Sequence, residues 1–546
     1  MNLFEVGRDI LQAKSGRGAP VMASDARRRL RFIYSIFSIA FTVFVTWTLF
    51  LGIQGTDRAR MGTGRNSWES GRADILDRNG EILAKNIISG HITLRPGKIQ
   101  DFDYAAASIH DIIPDISVQQ ALTMIRSEKR FIYLKKFASE SQRAMIKAAR
   151  IEGLEVEETE ARKYPKRRLV SHIVGFVGND GHGLEGIEKS RDKRLSQDRS
   201  PLVLSIDARI QTVFYRELSG AMQKYGAHAA MGMLMNSRTG EMIAMVSLPD
   251  FDPESRESDS AANRMFHPMR GVFEMGSIFK VFTTAMALEN GIGLNKQYYI
   301  KEPYKILDKN GRVSATIRDV ASFKPPRPHL NVAEILLHSC NTGTVQIALE
   351  LPSGTMQEFF ERLRMDSALD LEFGRTEKPL MPYKWGPVER ATVSFGHGMA
   401  VTPMHVLLAT NAVVNGGFYV KPTILKRPIG EMSGTRVISP GISDSIRKIL
   451  FKIAETTGGK NARVAGINIG GKTSTAEKRV NGKIDTKKNM TSFTAVFPIE
   501  SPQYIMMVVL DEPKGVESTY GLRTAAWNAA PTAGAIMDGI MPLLFQ

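Results

Sequence analysis

A single cysteine, Cys340, stands among 546 residues. That scarcity excludes an intramolecular disulfide, a zinc knuckle and a CxxC redox pair, so stability has to come from packed cores. Also missing are an internal repeat, a low-complexity tract, a P-loop, an HExxH and a dinucleotide fingerprint, and no metal or cofactor is expected. Acidic residues are scarce relative to basic ones: 56 Asp and Glu against 72 Lys and Arg, a formal charge of +16. Such an excess suits nucleic acid, anionic lipid or an acidic wall polymer, and charge alone does not choose among them. What is present, 43% hydrophobic and 23% charged residues, describes a globular chain, and its length implies two or three folded units.

One long window is both free of charge and apolar almost throughout. From Phe32 to Ile53 the chain reads FIYSIFSIAFTVFVTWTLFLGI, enough to cross a hydrocarbon layer of about 30 Å as a helix. Before it stand Arg8, Lys14, Arg17, Arg27, Arg28, Arg29 and Arg31 against Glu5, Asp9 and Asp25, a bias that places the N-terminus in the cytoplasm. No small-x-small site follows the apolar run, which argues against a cleaved signal peptide. The lone cysteine lies too far downstream for a lipobox. On this topology the cytoplasmic tail is 1–31 and the span 32–53, and nearly all the mass is exported. Nucleic acid is thereby removed as a partner, and the basic excess faces lipid headgroups or wall polymer.

After the span, a Gly- and Arg-rich stalk leads into a predicted strand-turn-strand around Asn79-Gly80. Helical spacing covers Asp115 to Gly153, while HITLRP and LEVEETEARKYP read as short strands. From Leu202 the texture changes. A strand precedes an amphipathic helix whose N-cap is Asp207, and MGMLMNSRTGEMIAMVSLP gives two strands turning at Ser237 to Gly240. Near the C-terminus INIGGKTSTAEKRV, TSFTAVFPI and YIMMVVLDEP read as three more strands, the first two linked across Asn481-Gly482. Strands from both ends of one region around a helical middle predict an α+β fold with a central antiparallel sheet flanked by helices.

Three short stretches carry candidate chemistry. Ser277 and Lys280, in FEMGSIFKVFTTAMALENG, share one face of a predicted apolar helix at i, i+3 spacing. A serine hydroxyl needs a base to take its proton, and a buried lysine with a lowered pKa can be one. The start of a helix also favours negative charge developing on the attacked carbonyl. S-x-x-K alone is weak, since about two chance matches are expected in a chain of this length. Ser190 with Lys193 and Ser445 with Lys448 are such matches, both set among charges. Only Ser277 and Lys280 enclose apolar residues, Ile278 and Phe279. Downstream, Ser339-Cys340-Asn341 lies between helical stretches, and Lys472-Thr473-Ser474-Thr475 follows Gly470-Gly471 on a predicted strand.

In that order, S-x-x-K, S-x-N and K-T-x resemble the class B penicillin-binding proteins. The likeness extends to Arg72, Asp77-Arg78-Asn79-Gly80, Arg162-Lys163-Tyr164-Pro165 and Gly183-Leu184-Glu185-Gly186-Ile187-Glu188 in the membrane-proximal part, which reads as turn and salt-bridge chemistry. It also takes in TGEMIAMVSLPDFDP, SFGHGMAVTPMHVLLATNAVVNGG and DEPKG. The resemblance implies a single transmembrane helix, an elongated β-rich pedestal over 54–200 and a transpeptidase domain over 201–546. Ser277 would attack the D-Ala-D-Ala carbonyl, Lys280 accept its proton and Ser339 relay a proton to the leaving amine, with Asn341 orienting Lys280. Lys472 and Thr473 would bind the terminal carboxylate, and the backbone N–H groups of Ser277 and Thr475 would form the oxyanion hole. Cys340 reads as a small buried side chain.

Departures are Ser474 where glycine is usual, Met275 where proline often stands and His397 where glutamine is usual. VGFVGNDGHGLEGIEKSRDKRL is similar to the division-specific branch, which implies peptidoglycan stem peptides as substrate, the SEDS-family glycosyltransferase FtsW and other divisome membrane proteins as partners, and a septal location. An elongation-specific enzyme and a non-catalytic penicillin-binding sensor are the competing readings. About 150 residues ahead of the catalytic region are too few for a polymerising domain as well, and no residue clearly supplies the Glu-held water of a β-lactamase.

Overall fold

A computed structural model of the chain describes residues 35–46, 71–255, 259–320, 323–428, 434–480 and 483–545. Residues 35–46 are helical, with apolar side chains such as Phe37, Phe41 and Phe44 exposed. The rest of the predicted 32–53 span and the stalk after it lie outside the described residues. Among those described, no helix is long and apolar enough to cross a membrane.

Beyond Gly71 the chain forms one compact unit. Its first sheet contains β1 (Ile75–Leu76), β2 (Ile82–Leu94), β3 (Ile132–Lys135), β4 (Leu154–Lys163) and β5 (Leu202–Val203). The long strand β2 pairs antiparallel with β1, β3 and β4, while β5 returns parallel to β1. The predicted turn at Asn79-Gly80 is present, with Asp77 Oδ1 accepting from the N–H groups of Asn79 and Glu81 at 2.7 and 2.8 Å. Helices α1 (Phe102–Ile112), α2 (Val118–Ile125) and α3 (Glu140–Ala149) pack on this sheet through Ile109, Ile112, Ile125 and Ile146. Ser117 and Ser139 begin α2 and α3 with capping boxes, Gln120 and Gln142 reciprocating.

The helical reading of Asp115 to Gly153 holds for α2 and α3 and fails between them. Ile132-Tyr133-Leu134-Lys135 is strand β3, paired Leu94↔Ile132 with β2. An aromatic and a β-branched residue beside an unfilled sheet edge gain more from cross-strand packing than from continuing a helix.

Arg72, Arg162 and Glu188, from three of the motifs of this part, meet in a buried ionic cluster. Glu188, with no solvent exposure, accepts from Arg72 Nε at 2.5 Å and from Arg162 Nε at 2.7 Å. Arg72 also reaches Asp192 at 2.7 Å, and Arg162 donates to the Ala73 carbonyl at 2.8 Å. Each buried charge thus has several partners, the condition for tolerating its loss of water.

The second sheet is built from both ends of the remaining chain. Helix α4 (Ala208–Tyr225) starts at Asp207, whose carboxylate accepts from the Arg209 and Ile210 N–H groups. Strands β6 (Ala229–Asn236) and β7 (Met242–Leu248) follow, and β8 (Gly470–Val480), β9 (Lys483–Phe497) and β10 (Tyr504–Asp511) complete an all-antiparallel sheet ordered β8-β9-β10-β6-β7. Strand β9 begins well before the predicted TSFTAVFPI, because its polar start pairs with the outer half of β8.

Both faces of this sheet are covered. Met231, Met233 and Met235 point to one core with Phe279 and Phe282, while Ala230 and Leu234 point to the other with Phe214, Ile536 and Ile540. The second face is closed by α4 and by α10 (Ala529–Leu544). In the helical middle, α5 (Phe279–Glu289) is buried from Phe279 to Ala287, as a helix apolar all round must be. Around it pack α6 (Val332–Leu337), α7 (Asn341–Glu350), α8 (Pro403–Val414) and α9 (Pro440–Thr456). Burying each of Phe279 and Phe282 contributes about 2 to 3 kcal/mol, which anchors the start of α5 against the sheet.

Candidate active site

Three chain segments meet at the edge of the second sheet. The first is the single turn Gly276–Ile278, which feeds directly into α5. It presents Ser277 half-buried at the surface and Lys280 almost fully buried one turn on. Gly276 has φ +59 and Gly396 has φ +89, and a Cβ on Gly396 would lie 2.0 Å from the Gly276 carbonyl oxygen. Two glycines are therefore what allow the SFGHG loop to back the turn that carries Ser277, through a bond from Gly276 N–H to the Gly396 carbonyl at 3.1 Å.

The second segment is the connection from α6 to α7. Ser339 adopts a left-handed backbone, φ +56, costly for a residue with a side chain, and this turns both its carbonyl and its hydroxyl toward Lys280. The Nζ of Lys280 lies 3.1 Å from Ser277 Oγ and 3.1 Å from Ser339 Oγ, and it donates to the Ser339 carbonyl. The third segment is edge strand β8. Lys472 Nζ lies 3.0 Å from Ser339 Oγ and donates to the Thr473 carbonyl at 2.8 Å. One hydroxyl, Ser339, thus touches both amines.

Electrostatics follow from burial. Loss of water lowers the Lys280 pKa to about 8, opposed by the nearby Asp319 carboxylate. At pH 7 on the order of a tenth of these amines is then neutral. Lys472 is pushed well below the usual lysine range, first by burial and then by the Lys280 charge. An ammonium has three donors and no lone pair, matching the three oxygens around Lys280; a neutral amine has two donors and one lone pair, which can take the proton of Ser277.

The remaining predicted residues are placed as follows. Thr473 and Thr475 alternate with Lys472 and Ser474 along β8 and are half-exposed. Thr475 Oγ1 accepts from the Ala525 N–H at 3.0 Å. The Asn341 side-chain amide donates to the Arg318 carbonyl at 2.9 Å. Cys340 is fully buried, caps α7 with its sulfur, and has its thiol pKa raised to about 11 by burial, so it is the small core side chain expected. Ser474 is buried and its hydroxyl points at the turn that carries Ser277.

Sequence reasoning missed Asp319. Its carboxylate accepts from the Asn341 N–H, from Thr342 Oγ1 at 2.7 Å, from Thr342 N–H at 3.3 Å and from Cys340 Sγ at 3.5 Å. It therefore holds the first turn of α7 from outside and adds negative charge near Lys280. Asp319 lies in RDVASFKPPRP, a stretch without periodicity or a motif, and no local signal marks it.

An antiparallel sheet whose edge strand offers a lysine to a serine–lysine pair at a helix start is the arrangement of a serine acyl-transferring, penicillin-recognising fold. Residues 230–538 match the penicillin binding protein transpeptidase domain, and 67–201 match the penicillin-binding protein dimerisation domain. The chain belongs to the penicillin-binding protein transpeptidase family, in its class B form. It is 30% identical to a probable peptidoglycan D,D-transpeptidase FtsI of Caulobacter vibrioides over 97% of this chain and 90% of that protein. It is 28% identical to peptidoglycan D,D-transpeptidase FtsI of Escherichia coli over 86% of this chain and 83% of that protein. In fold it is similar to a peptidoglycan synthetase from Bifidobacterium adolescentis, with a TM-score of 0.65 at 19% identity over 87% of this chain and 95% of that one.

Proposed function

We propose that this chain is a septal peptidoglycan D,D-transpeptidase working through an acyl-enzyme on Ser277. The observation that carries the reading is the amine of Lys280 at 3.1 Å from Ser277 Oγ, with its pKa lowered to about 8 by burial. Neutral Lys280 takes the Ser277 proton as Oγ attacks the carbonyl of the D-Ala-D-Ala bond of a stem peptide. The oxyanion is held by the N–H groups of Ser277 and Thr475. Support for Thr475 comes from its carbonyl oxygen, which lies 2.9 Å from where a Cβ on Gly276 would be. A strand residue points its N–H and C=O to the same side, so the Thr475 N–H faces the nucleophile turn as well.

The C–N bond then breaks, and the departing amine takes a proton delivered through Ser339, which touches both Lys280 and Lys472. Lys472 and Thr473 bind the terminal carboxylate, whose charge favours the ammonium form of Lys472. Next, an amine of a second stem peptide attacks the ester, forms the cross-link and returns the proton to Ser277. Asn341, at the start of α7, orients Lys280 and the substrate amide. Edge strand β8 offers backbone groups along which an extended peptide can lie.

The same reading places residues 32–53 in the cytoplasmic membrane as a single span with the N-terminus inside, 54–200 as the pedestal and 201–546 as the transpeptidase domain outside. Its partners are then FtsW and other divisome membrane proteins, met through the span and pedestal. The relatives named FtsI support the septal assignment over the elongation-specific one.

Intact-mass analysis with a labelled penicillin tests the chemistry. One adduct is expected on the native chain and none on Ser277→Ala; labelling that survives the substitution would refute Ser277 as nucleophile. Turnover of a stem-peptide donor with an amine acceptor separates an enzyme from a sensor, which would stop at the adduct. A fluorescent fusion should collect at mid-cell, and side-wall labelling would favour the elongation role.

A further inference from the structure

We propose that Ser474 is a positioning residue for acyl transfer, its hydroxyl tying edge strand β8 to the turn that carries Ser277 and so fixing the gap between the two backbone donors beside it. The inference rests on the reading of Ser277 as nucleophile. Three observations carry it. Ser474 Oγ donates to the Met275 carbonyl and accepts from the Ile278 N–H at 3.2 Å, 196 positions away in sequence. It is 3% exposed, so neither bond competes with bulk water. Lastly, the turn Gly276–Ile278 has no side-chain cap of its own, because its N-cap position is Met275, which has no oxygen to offer.

A helix start leaves N–H groups without partners, and a serine, threonine or aspartate at the N-cap normally satisfies one of them. Here that service comes across space from β8. The consequence for chemistry lies in the neighbours. Ser474 directly precedes Thr475, and the two groups it bonds, Met275 C=O and Ile278 N–H, bracket Ser277. One hydroxyl therefore clamps the two segments whose N–H groups flank the oxyanion, each within a residue or two of the clamp. Gly276 fits beneath it with little room: a Cβ there would lie 2.9 Å from Ser474 Oγ and 2.9 Å from the Thr475 carbonyl oxygen. Oxyanion donors act only when held about 2.7 to 3.1 Å from the developing charge, so a clamp next to both sets rate more than affinity. It also explains how this chain accommodates a serine in the third motif: the side chain turns inward and leaves the groove open.

Stopped-flow acylation by a reporter cephalosporin resolves the acylation rate constant from the non-covalent dissociation constant. It should be applied to the full chain in detergent, with active sites counted by burst amplitude. In Ser474→Ala and Ser474→Gly the acylation rate constant per active site should fall about tenfold, a fraction of the loss from removing an oxyanion donor outright. The dissociation constant should stay within about twofold, and the pH limb set by Lys280 should not move. Ser474→Thr, which keeps the hydroxyl, should recover most of the rate. Equal rate constants in native, alanine and glycine forms would overturn the proposal, as would a loss confined to the dissociation constant or to the number of active sites. Failure of the native chain to acylate at Ser277 would instead sink the transpeptidase reading, so the two failures are told apart.

Discussion

Lys472 Nζ and Ser339 Oγ stand 3.0 Å apart although 133 residues separate them in the chain. That contact closes a line of groups running Ser277, Lys280, Ser339, Lys472, the path of the proposed proton relay. It couples the two motifs that sequence order only sets side by side. Removing the middle hydroxyl by Ser339→Ala should slow acylation by about 10²-fold while the adduct still forms, since general acid–base contributions are typically 10² to 10⁴. Lys280→Met should be more severe, near the upper end of that range. Acylation time courses by intact mass would read both; a native-like rate in Ser339→Ala would break the relay.

The pH profile carries a second prediction. The Lys280 pKa is lowered to about 8; with the neutral amine as the proposed base, the acylation rate should rise with pH and level off above about 8. Asp319 raises that pKa. Asp319→Asn removes the negative charge, favours the neutral amine and should move the rising limb to lower pH. The amide oxygen can keep only one of the two sets of donors that Asp319 Oδ1 and Oδ2 now accept from, so the variant should melt lower and its rate is counted per active site. A limb that stays put or moves to higher pH would show that Asp319 does not act on Lys280.

Much of this arrangement is visible in the residues alone, and the exceptions have physical causes. Strands β6, β7 and β10 are continuous apolar runs, and Asp207 caps α4 by local chemistry, so neither needs distant information. Ser277, Lys280, Ser339 and Lys472 are legible as motifs because each chemistry has a short spacing. Strand β3 was hidden because a helical pattern on both sides overrode four residues whose partner, β2, lies far back in the chain. Asp319 and the inward turn of Ser474 were hidden for the same reason: their partners, Thr342 and Ile278, are defined only once the chain is folded. The direction of Asn341, toward Arg318, depends on a hairpin, Tyr304–Leu307 with Val313–Ile317, that local pattern does not bring beside it.

The ionic cluster beneath the first sheet predicts a change in stability without a change in chemistry. Glu188 is fully buried between Arg72 and Arg162, whose side chains are 8% and 2% exposed. In Glu188→Ala two guanidiniums lose the carboxylate they share, and breaking a buried ion pair from one side costs about 3 to 5 kcal/mol. Thermal unfolding should move down by several degrees, while the acylation rate per active site at low temperature stays native. An unchanged melting temperature would mean that water or Asp192 replaces Glu188 at little cost.

Gly396 tests whether the loop behind Ser277 sets its position. Any side chain there faces two penalties. The backbone sits at φ +89, which L side chains rarely adopt, and a Cβ would approach the Gly276 carbonyl oxygen to 2.0 Å, far inside van der Waals contact. Because the obstacle is backbone, Gly396→Ala can be accommodated only by moving the loop or the turn that carries Ser277. Displacements of about 1 Å at a reacting centre can cost 10²-fold, so acylation should fall by at least about that factor, with Ser277 and Lys280 both still in the sequence. Gly441→Ala provides the comparison, since a Cβ at Gly441 meets nothing within 4 Å and alanine favours a helix over glycine. That variant should acylate at the native rate and melt slightly higher. If Gly396→Ala instead acylates like Gly441→Ala, the turn has enough play to absorb the clash, and close packing of the loop would not be what aims the nucleophile.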